Sequence, residues 1–389
     1  MENIQEKMKS MTSTLPAYTE NESITPTKKR FEWIDNARVV ALFVIMWLHV
    51  PFGLFPETWE FMLRETAFIR ETFFYAYVPF FLFLSGYFTA RNITWHKAFD
   101  RFLWLLIPYI LWNLSVGYVC CGLLPNSPES ACVILGIKDI FSPHWTVCAA
   151  GAGMPVDMPT WFLRDMLILS LLTPIIVKFK KWLPLLIVLY FSCHCLRTPV
   201  FINGGVLLAP GQVMYYLLGV CVSHRKLDEA YRLFNHPRMN AYMLLAFLYM
   251  LVILGLKYCM PDKGLNLTCV SVLLGIAMIA YSGVLIERYF PRLSHRLAPC
   301  GPASFLIFVM HWPLFLIVHS CLPECMIGSP LLWLVPIPTF FIIIYTFFGI
   351  KKFAPWLMPY LCHMKLQAIK DEKIRLMNYK KQDAANTVG

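Results

Sequence analysis

Long apolar segments recur along the chain, and short segments rich in Lys and Arg separate them. Most of the apolar segments are about 18 to 22 residues long, which lets an α-helix cross the roughly 30 Å hydrocarbon core of a bilayer. The pattern predicts an all-α fold, a polytopic transmembrane helical bundle of about ten helices. The predicted spans are 34–55, 71–90, 101–123, 160–178, 182–197, 205–223, 240–258, 267–287, 302–320 and 331–350.

The composition of the chain agrees with this pattern. Of the 389 residues, 58% are hydrophobic and only 15% are charged, and the mean hydropathy is +0.57. Soluble domains carry about 25% charged residues. A water-soluble globular fold is excluded, because it has no means of covering this much apolar helix.

The distribution of Lys and Arg predicts how the helices are oriented. If the N-terminus is cytoplasmic, most of the 34 basic residues fall in cytoplasmic segments, as the positive-inside rule requires. We therefore predict a multi-pass protein of the cytoplasmic membrane with both ends inside. Its parts are a disordered tail over 1–30, a transmembrane domain over 31–350 and a C-terminal tail over 351–389. The first tail contains no apolar core before a cleavage site, so we do not expect a signal peptide.

The same bias explains the net charge of +11. Nucleic-acid binding would need a basic, water-exposed domain, and the sequence contains none. The basic loops are expected to lie beside anionic head groups, so membrane lipids are the predicted partners. No Cys or His spacing is typical of a metal site.

The largest outward segment, 124–159, is rich in Pro and Gly and predicts a cap or lid over a cavity. Its Cys132 and Cys148 are able to form a disulfide if that side of the membrane is oxidising, and the same holds for Cys321 and Cys325. Most other cysteines lie in apolar segments, where a cysteine acts as a small hydrophobic residue.

Arg38 and His49 form the strongest functional signal. They lie eleven residues apart in the first predicted helix, about three full turns, so their side chains share one face. The spacing is roughly 16 Å along the axis, which puts Arg38 at a membrane boundary and His49 near mid-bilayer. Ionisable groups inside a membrane are costly and usually line a polar cavity or a substrate path.

Each residue of this stripe has a structural and a chemical interpretation. His49 is either a packed histidine bonded to a neighbouring carbonyl or a general base that accepts a proton from a hydroxyl. Arg38 is either an anchor to lipid head groups or a ligand for a phosphate or pyrophosphate. Asp35, one turn earlier, is an N-cap, a partner that orients Arg38, or both.

Further ionisable residues extend the candidate site. His311 lies about half-way across a later span, where it is either bonded structurally or lines a polar cavity with His49. Trp161 and Arg164 open the fourth span at its outer face. Arg164 and Asp165 point about 100° apart on a helix, so we expect that they do not simply neutralise each other and that at least one faces the bundle interior.

Basic residues near the cytoplasmic ends of the second and third spans predict an anion-binding mouth. Arg91, Lys97 and Arg101 lie there together with Arg38. The Ser-Gly pair at 85–86 is expected to allow close helix packing rather than chemistry.

Six segments of the sequence occur in an order that is typical of one membrane-protein family. They are Ile34-Asp35 with Arg38 and His49, Phe80 to Tyr87, Arg101 to Pro108-Tyr109, Trp161-Phe162-Leu163-Arg164, Tyr215-Tyr216-Leu217-Leu218-Gly219, and Ser304 to His311-Trp312-Pro313. Together, over about 31–350, they resemble the integral-membrane O-acyltransferases of acyltransferase family 3. The resemblance implies transfer of an acyl group, usually acetyl or succinyl, from cytoplasmic acyl-CoA. The implied acceptors are hydroxyls of surface polysaccharides, lipid-linked glycans or periplasmic glucans.

The resemblance also implies roles for individual residues. His49 would be the catalytic histidine, and Arg38, supported by Asp35, its partner. Acyl-CoA such as acetyl-CoA, the co-substrate, would bind at the basic mouth. The family often has Arg-x-x-Arg in the third helix, but here Arg101 is followed by Trp104 at the second position. Arg91 or Lys97 would have to replace the missing arginine.

Some alternatives remain open at the level of sequence. The catalytic histidine either deprotonates the acceptor hydroxyl or relays the acyl group. The acceptor is expected to enter from the outer side, past Trp161, Arg164 and His311. A transporter or flippase of a glycan or lipid-linked saccharide would also place His and Arg in the membrane, although no inverted repeat of broken helices is visible. A sensory or scaffold domain would tolerate substitution of the same residues.

Overall fold

The computed structural model describes residues 31–54, 75–122, 134–135, 155–195, 210–259, 268–323 and 330–362. All the regular secondary structure within these segments is helical, as the sequence predicts. The α-helices are α1 (Glu32–Leu54), α2 (Tyr77–Thr89), α3 (Trp95–Cys121), α4 (Trp161–Lys178), α5 (Leu183–Cys195), α6 (Pro210–Val222), α7 (Leu227–Phe234), α8 (Met239–Cys259), α9 (Thr268–Tyr289), α10 (Pro291–Leu297), α11 (Ser304–Cys321), α12 (Pro336–Phe353) and α13 (Met358–Leu361). Short 3₁₀ helices occupy Met158–Thr160, Lys180–Trp182, Ala298–Ala303, Pro330–Leu334 and Pro355–Leu357.

Each of the ten predicted spans coincides with one of these helices. Among the described residues, six segments are by themselves long and apolar enough to cross a membrane: Glu32–Val50, Trp95–Cys120, Met239–Leu256, Cys269–Tyr289, Pro291–Cys321 and Leu331–Phe353. By contrast, α2 has only 13 residues, and α4 carries Arg164 and Asp165 near its start. The chain is a multi-pass helical membrane protein, and the cytoplasmic location of its two ends stays a prediction.

Several predictions concern residues that the structure does not describe. The tail over 1–30 and most of the lid segment 124–159 lie outside the described residues, as do Cys132, Cys148 and Cys325. Cys321, at the end of α11, carries a free thiol.

Helix α1 lies at the centre of the described bundle. It packs most extensively against α9 and α11, and it also contacts α2, α10 and the 3₁₀ helix that precedes α11. Small or aliphatic residues such as Ala37, Ala41 and Ile45 are completely buried along it. At its first turns, the Asn36 amide donates a hydrogen bond of 2.7 Å to Ser294 of α10. The helix with the predicted functional stripe is therefore held from several sides.

The most extensive helix pair is α2 with α6. A Cβ atom at Gly86 of α2 would collide with the backbone carbonyl oxygen of Tyr216 on α6, so only glycine permits this close approach. The Tyr216 hydroxyl lies 2.5 Å from Oγ1 of Thr173 on α4, which ties the pair to a third helix. The packing interpretation of the Ser-Gly pair is confirmed for Gly86.

Helix α3 shows clear start and stop signals. The Thr94 side chain accepts a 3.3 Å hydrogen bond from the backbone N–H of Lys97 at the N-terminus. At the other end, Gly122 adopts the left-handed conformation with φ of 63°. These caps mark the two ends of α3, which packs against α4.

The outer surface of the bundle is apolar. On α8, for example, Tyr242, Leu244, Leu245 and Val252 are all more than half exposed. Exposed apolar side chains of this density suit contact with lipid tails rather than with water. Buried polar side chains lie instead inside the bundle, among them Asp35 and Asn36 of α1, Asn113 of α3 and Arg164 and Asp165 of α4.

Candidate functional site

Helix α1 carries Arg38 and His49 on one continuous helix, so the predicted shared face is present. Both side chains stay half-exposed, whereas Asp35 beside them is buried. A guanidinium nitrogen of Arg38 lies 3.5 Å from Oδ1 of Asp35, which is the pairing that the sequence allowed. The guanidinium also lies over the ring of Phe88, 5.8 Å from its centre. Arg38 is thus held in place by a carboxylate and an aromatic face.

Gly301 determines how closely the Asp35 carboxylate is packed. A Cβ atom at this position would lie only 2.6 Å from Oδ1 of Asp35, well inside van der Waals contact. The backbone just before α11 therefore presses directly on the Asp35–Arg38 pair. This close approach is a feature that the sequence-level interpretation of Asp35 did not include.

His49 meets His311 in the middle of the bundle. Nε2 of His311 lies 3.4 Å from Nδ1 of His49, and the two ring centres are 4.9 Å apart. His49 Nδ1 also lies 2.8 Å from the carbonyl oxygen of Ile45, and His311 Nδ1 lies 3.0 Å from that of Ile307. His311 is completely buried. The two histidines, which lie in spans far apart in sequence, form one pair.

Aromatic side chains surround the histidine pair. The ring of Trp312 meets His49 edge to face at 6.0 Å. Phe315 meets His311 in the same manner at 5.9 Å, and the ring of Phe308 lies 6.4 Å from that of His311. The pair therefore has predominantly apolar neighbours on the α11 side.

A cavity of about 310 Å³, here called the polar cavity, opens between α1, α2, α3, α4 and the start of α11. Arg38 and Arg101 both line it, together with Ser85 of α2. Its remaining walls are Leu42, Phe81, Leu105, Phe162, Leu163, Met166, Gly301, Pro302, Ser304, Phe305, Phe308 and Cys362. Phe308 is one turn of α11 before His311, and Leu42 is two turns of α1 before His49. Neither histidine is among the residues that line the cavity, but the ring of its wall residue Phe308 lies 6.4 Å from that of His311.

The predicted basic mouth is divided between two places. Arg38 and Arg101 share the polar cavity, whereas Arg91 stacks over the Tyr87 ring and Lys97 donates a 2.9 Å hydrogen bond to the carbonyl of Asn92. Neither Arg91 nor Lys97 is among the residues that line the polar cavity. Nε of Arg101 is inaccessible to solvent and has no hydrogen-bond acceptor within the described structure. An unsatisfied guanidinium N–H facing a cavity suits an anionic ligand.

The first turn of α4 corrects one sequence-based prediction. Arg164 and Asp165 were expected not to neutralise each other, but Nε of Arg164 lies 3.9 Å from Oδ1 of Asp165. Both side chains are buried, so their bending toward each other lowers the cost of two charges inside the protein. The prediction that at least one faces the interior is confirmed. Trp161 stays half-exposed, and its neighbour Phe162 reaches the polar cavity instead.

A buried polar cluster just before α4 was not found from the sequence. Asn113 of α3 donates a 2.9 Å hydrogen bond to the Thr160 hydroxyl and accepts one of 3.1 Å from the backbone N–H of Asp157. The Asp157 carboxylate accepts no hydrogen bond within the described residues, and burial raises its pKa well above the usual range. The available signal was Asn113, a lone amide in an otherwise apolar span.

Cys362 is a second residue that the sequence did not single out. It follows α13, within the predicted C-terminal tail, yet it is buried and lines the polar cavity. This segment is held on α3 by a 3.2 Å hydrogen bond from the Trp112 indole to the carbonyl of Leu361. Burial raises the pKa of the Cys362 thiol to about 12, so the sulfur is a poor nucleophile at neutral pH.

A second cavity, of about 290 Å³, is called here the apolar cavity. It lies among α1, α2, α6, α7 and α9, and its two charged wall residues are Arg225 and Lys226. The other walls are Trp33, Phe80, Phe83, Leu84, Tyr87, Leu218, Val222, Leu227, Ala230, Phe234, Leu273, Ile276, Ala277 and Ala280. Across the described part of the chain, no three His, Cys, Asp or Glu side chains are grouped as metal ligands would be.

The sequence is similar to that of one known protein family. The acyltransferase domain of acyltransferase family 3 matches residues 31–350. The succinoglycan biosynthesis protein ExoH of Rhizobium meliloti (strain 1021) is 25% identical over 302 residues, which are 73% of this chain and 78% of the relative. No solved structure matches the chain. The matched range includes the histidine pair and every wall of the polar cavity except Cys362. The chain belongs to acyltransferase family 3, as its six sequence segments indicated.

Proposed function

We propose that this protein transfers an acyl group, acetyl or succinyl, from acyl-CoA to a hydroxyl of a glycan on the outer side of the cytoplasmic membrane. Membership of an acyltransferase family supports acyl transfer. The glycan acceptor is supported by the relative, whose name refers to succinoglycan biosynthesis. One observation carries the proposal: two arginines line one cavity, and Phe308 in its wall contacts His311 of the histidine pair.

The two arginines of the polar cavity bind the phosphate groups of CoA in this proposal. Arg38 and Arg101 come from different helices but line the same cavity, and guanidinium groups bind phosphate with paired hydrogen bonds. This arrangement compensates for Trp104, which occupies the position where the family often has a second arginine. Arg38 of α1 supplies the second guanidinium that α3 lacks. Arg91 and Lys97, which lie elsewhere, would guide the anion toward the cavity by long-range attraction.

His49 acts as the general base in the proposed reaction. Its imidazole takes the proton of the acceptor hydroxyl as the oxygen attacks the thioester carbonyl carbon. The tetrahedral intermediate then collapses, the C–S bond breaks, and the CoA thiolate takes the proton from the imidazolium. The products are an ester on the glycan and free CoA. Arg38, held by Asp35, keeps the thioester carrier aligned with the helix face on which His49 lies.

The acceptor approaches from the other side of the bundle. Trp161, with its half-exposed indole, offers an aromatic face to a sugar ring, and the buried Arg164–Asp165 pair lies one turn deeper on α4. His311 contacts His49 and lines the acceptor's path in this proposal. The acceptor hydroxyl and the thioester would then meet at His49 from opposite leaflets of the membrane.

The test is acyl transfer by the purified full-length protein in lipid nanodiscs. Acetyl-CoA or succinyl-CoA is supplied with succinoglycan oligosaccharides, and both free thiol and acylated sugar are measured. His49→Gln should lower the transfer rate by about 10²- to 10⁴-fold, the usual contribution of a positioned base. His224→Gln, at an exposed turn after α6, is the matched control and should leave the rate unchanged.

Two outcomes would overturn the proposal. If His49→Gln transfers acyl groups at the wild-type rate, His49 is not the base. If the wild-type protein neither binds nor cleaves any acyl-CoA, the family activity is absent in this chain, and glycan transport becomes the better explanation of its membrane-buried polar groups.

A further inference from the structure

The neighbours of the two histidine rings indicate which ring nitrogens carry protons. A carbonyl oxygen only accepts hydrogen bonds, so a ring nitrogen beside a carbonyl must carry a proton. Nδ1 of His311 lies 3.0 Å from the carbonyl of Ile307, which makes it the protonated nitrogen of a neutral ring. Nε2 of His311 then carries the lone pair, and this is the atom that faces His49.

Nδ1 of His49 also faces hydrogen-bond acceptors. This nitrogen lies 2.8 Å from the carbonyl of Ile45 and 3.4 Å from Nε2 of His311. Both neighbours are acceptors, so Nδ1 of His49 carries the proton and shares it between them. In the neutral ring, Nε2 of His49 therefore carries the lone pair, as a base at that atom requires.

We infer that His311 is a positioning residue, which together with the carbonyl of Ile45 holds His49 in the Nδ1–H tautomer and accepts a hydrogen bond from the imidazolium that forms when His49 takes a proton. The inference rests on the proposed function for its catalytic meaning, but the tautomer itself is a property of the resting protein. It gives His311 a role other than the substrate contact that its sequence position suggested.

A neutral partner suits this place in the bundle. Serine hydrolases orient the catalytic histidine with a buried aspartate, whose charge is stabilised by surrounding hydrogen bonds. Here the α11 neighbours of the pair are the rings of Phe308, Trp312 and Phe315, which offer a carboxylate little compensation. A second imidazole supplies an acceptor without adding a permanent charge to the membrane interior.

His311→Phe is the decisive variant, because it keeps a ring of similar shape among aromatic neighbours but removes the acceptor. If His311 only fills space, this variant should behave like the wild type. If His311 positions His49, kcat should fall about 100-fold while KM for acetyl-CoA stays within about twofold, because the arginine cavity is untouched. His311→Gln, which keeps an acceptor, should recover part of the loss. His319→Phe at the exposed end of the same helix is the matched control.

A spectroscopic readout separates this inference from the proposed function. Solid-state ¹⁵N spectra of ring-labelled histidine, assigned by difference from His49→Gln, report which nitrogen of His49 carries the proton. The wild type should show the Nδ1–H form, and in His311→Phe, where only the carbonyl of Ile45 accepts from Nδ1, the ¹⁵N resonance of that nitrogen should shift. If the wild type shows the Nε2–H form, or if His311→Phe keeps both the wild-type kcat and the wild-type spectrum, the inference is wrong. Absence of acyl transfer by the wild type would refute the proposed function while leaving the tautomer measurement valid.

Discussion

The polar cavity and the apolar cavity differ little in size, about 310 and 290 Å³, but greatly in chemistry. They lie on opposite faces of the α1–α2 pair. On α1, Trp33 and Arg38 are five residues apart, which places them about 140° apart around the helix. On α2, Leu84 lines one cavity and its neighbour Ser85 lines the other. Two adjacent residues of α2 thus face different cavities.

The difference shows that volume alone does not indicate a site. The apolar cavity has Arg225 and Lys226 in its wall, but Arg225 is paired with Glu229 at 4.0 Å and its side chain is mostly exposed. The polar cavity instead holds Arg101, with a buried and unsatisfied Nε, and Arg38 fixed by Asp35. Buried charge that lacks a full set of partners is the feature that points to a ligand.

The largest expected effect in this comparison comes from the arginines. Arg38→Gln and Arg101→Gln each remove a charged hydrogen-bond donor to phosphate, which is worth about 1.5–3 kcal/mol. Each should raise KM for acetyl-CoA by about 10- to 100-fold. Arg225→Gln, in the wall of the apolar cavity, should change KM by less than about twofold. Steady-state kinetics of the purified variants give these KM values. If Arg225→Gln and Arg101→Gln raise KM equally, the two cavities do not differ in donor binding.

A smaller effect is expected from filling either cavity with the same side chain. Ser85→Leu narrows the polar cavity and should lower kcat/KM by about tenfold, because misplacement of a bound substrate slows its reaction. Ala277→Leu fills part of the apolar cavity and should leave kcat/KM unchanged, with the melting temperature equal to or above that of the wild type. Transfer kinetics and thermal unfolding in detergent check this pair. Loss of transfer in Ala277→Leu alone would move the substrate site to the apolar cavity.

The smallest expected effect concerns the support of Arg38. Gly301→Ala places a methyl group against the Asp35 carboxylate, which must shift and loosen its pair with Arg38. We expect KM for acetyl-CoA to rise about three- to fivefold, as an overpacking cost of about 1 kcal/mol implies. Gly255→Ala on α8 is the control, because a Cβ atom there meets nothing within 4 Å. An unchanged KM in Gly301→Ala would show that the pair does not position Arg38.

Much of the fold follows from the sequence, because membrane spans depend on local runs of apolar residues. The ten spans and the shared face of Arg38 and His49 need only helix geometry and the length of a bilayer crossing. The Asp35–Arg38 pair is equally local, since residues three apart on a helix are neighbours.

The rest of the site depends on contacts between distant segments. The His49–His311 pair joins residues 262 positions apart, and hydropathy says nothing of which spans touch. The Arg164–Asp165 contact was missed because backbone directions separate adjacent residues, whereas long side chains bend back together when burial makes pairing favourable. Cys362 was missed because a segment after the last span was expected to lie in the cytoplasm, and its packing against α3 is a tertiary effect.

Photolabelling tests the central claim most directly, namely that the polar cavity binds the acyl donor. An acyl-CoA with a diazirine in its acyl chain is bound to the full-length protein in nanodiscs and illuminated, and the labelled residues are identified by peptide mass spectrometry. The account predicts labels on Phe81, Ser85, Phe305 or Phe308, with loss of labelling in Arg101→Gln and when excess CoA is present. Labels on Phe83, Leu273 or Ile276 that excess CoA removes would contradict it, because the donor would then occupy the apolar cavity.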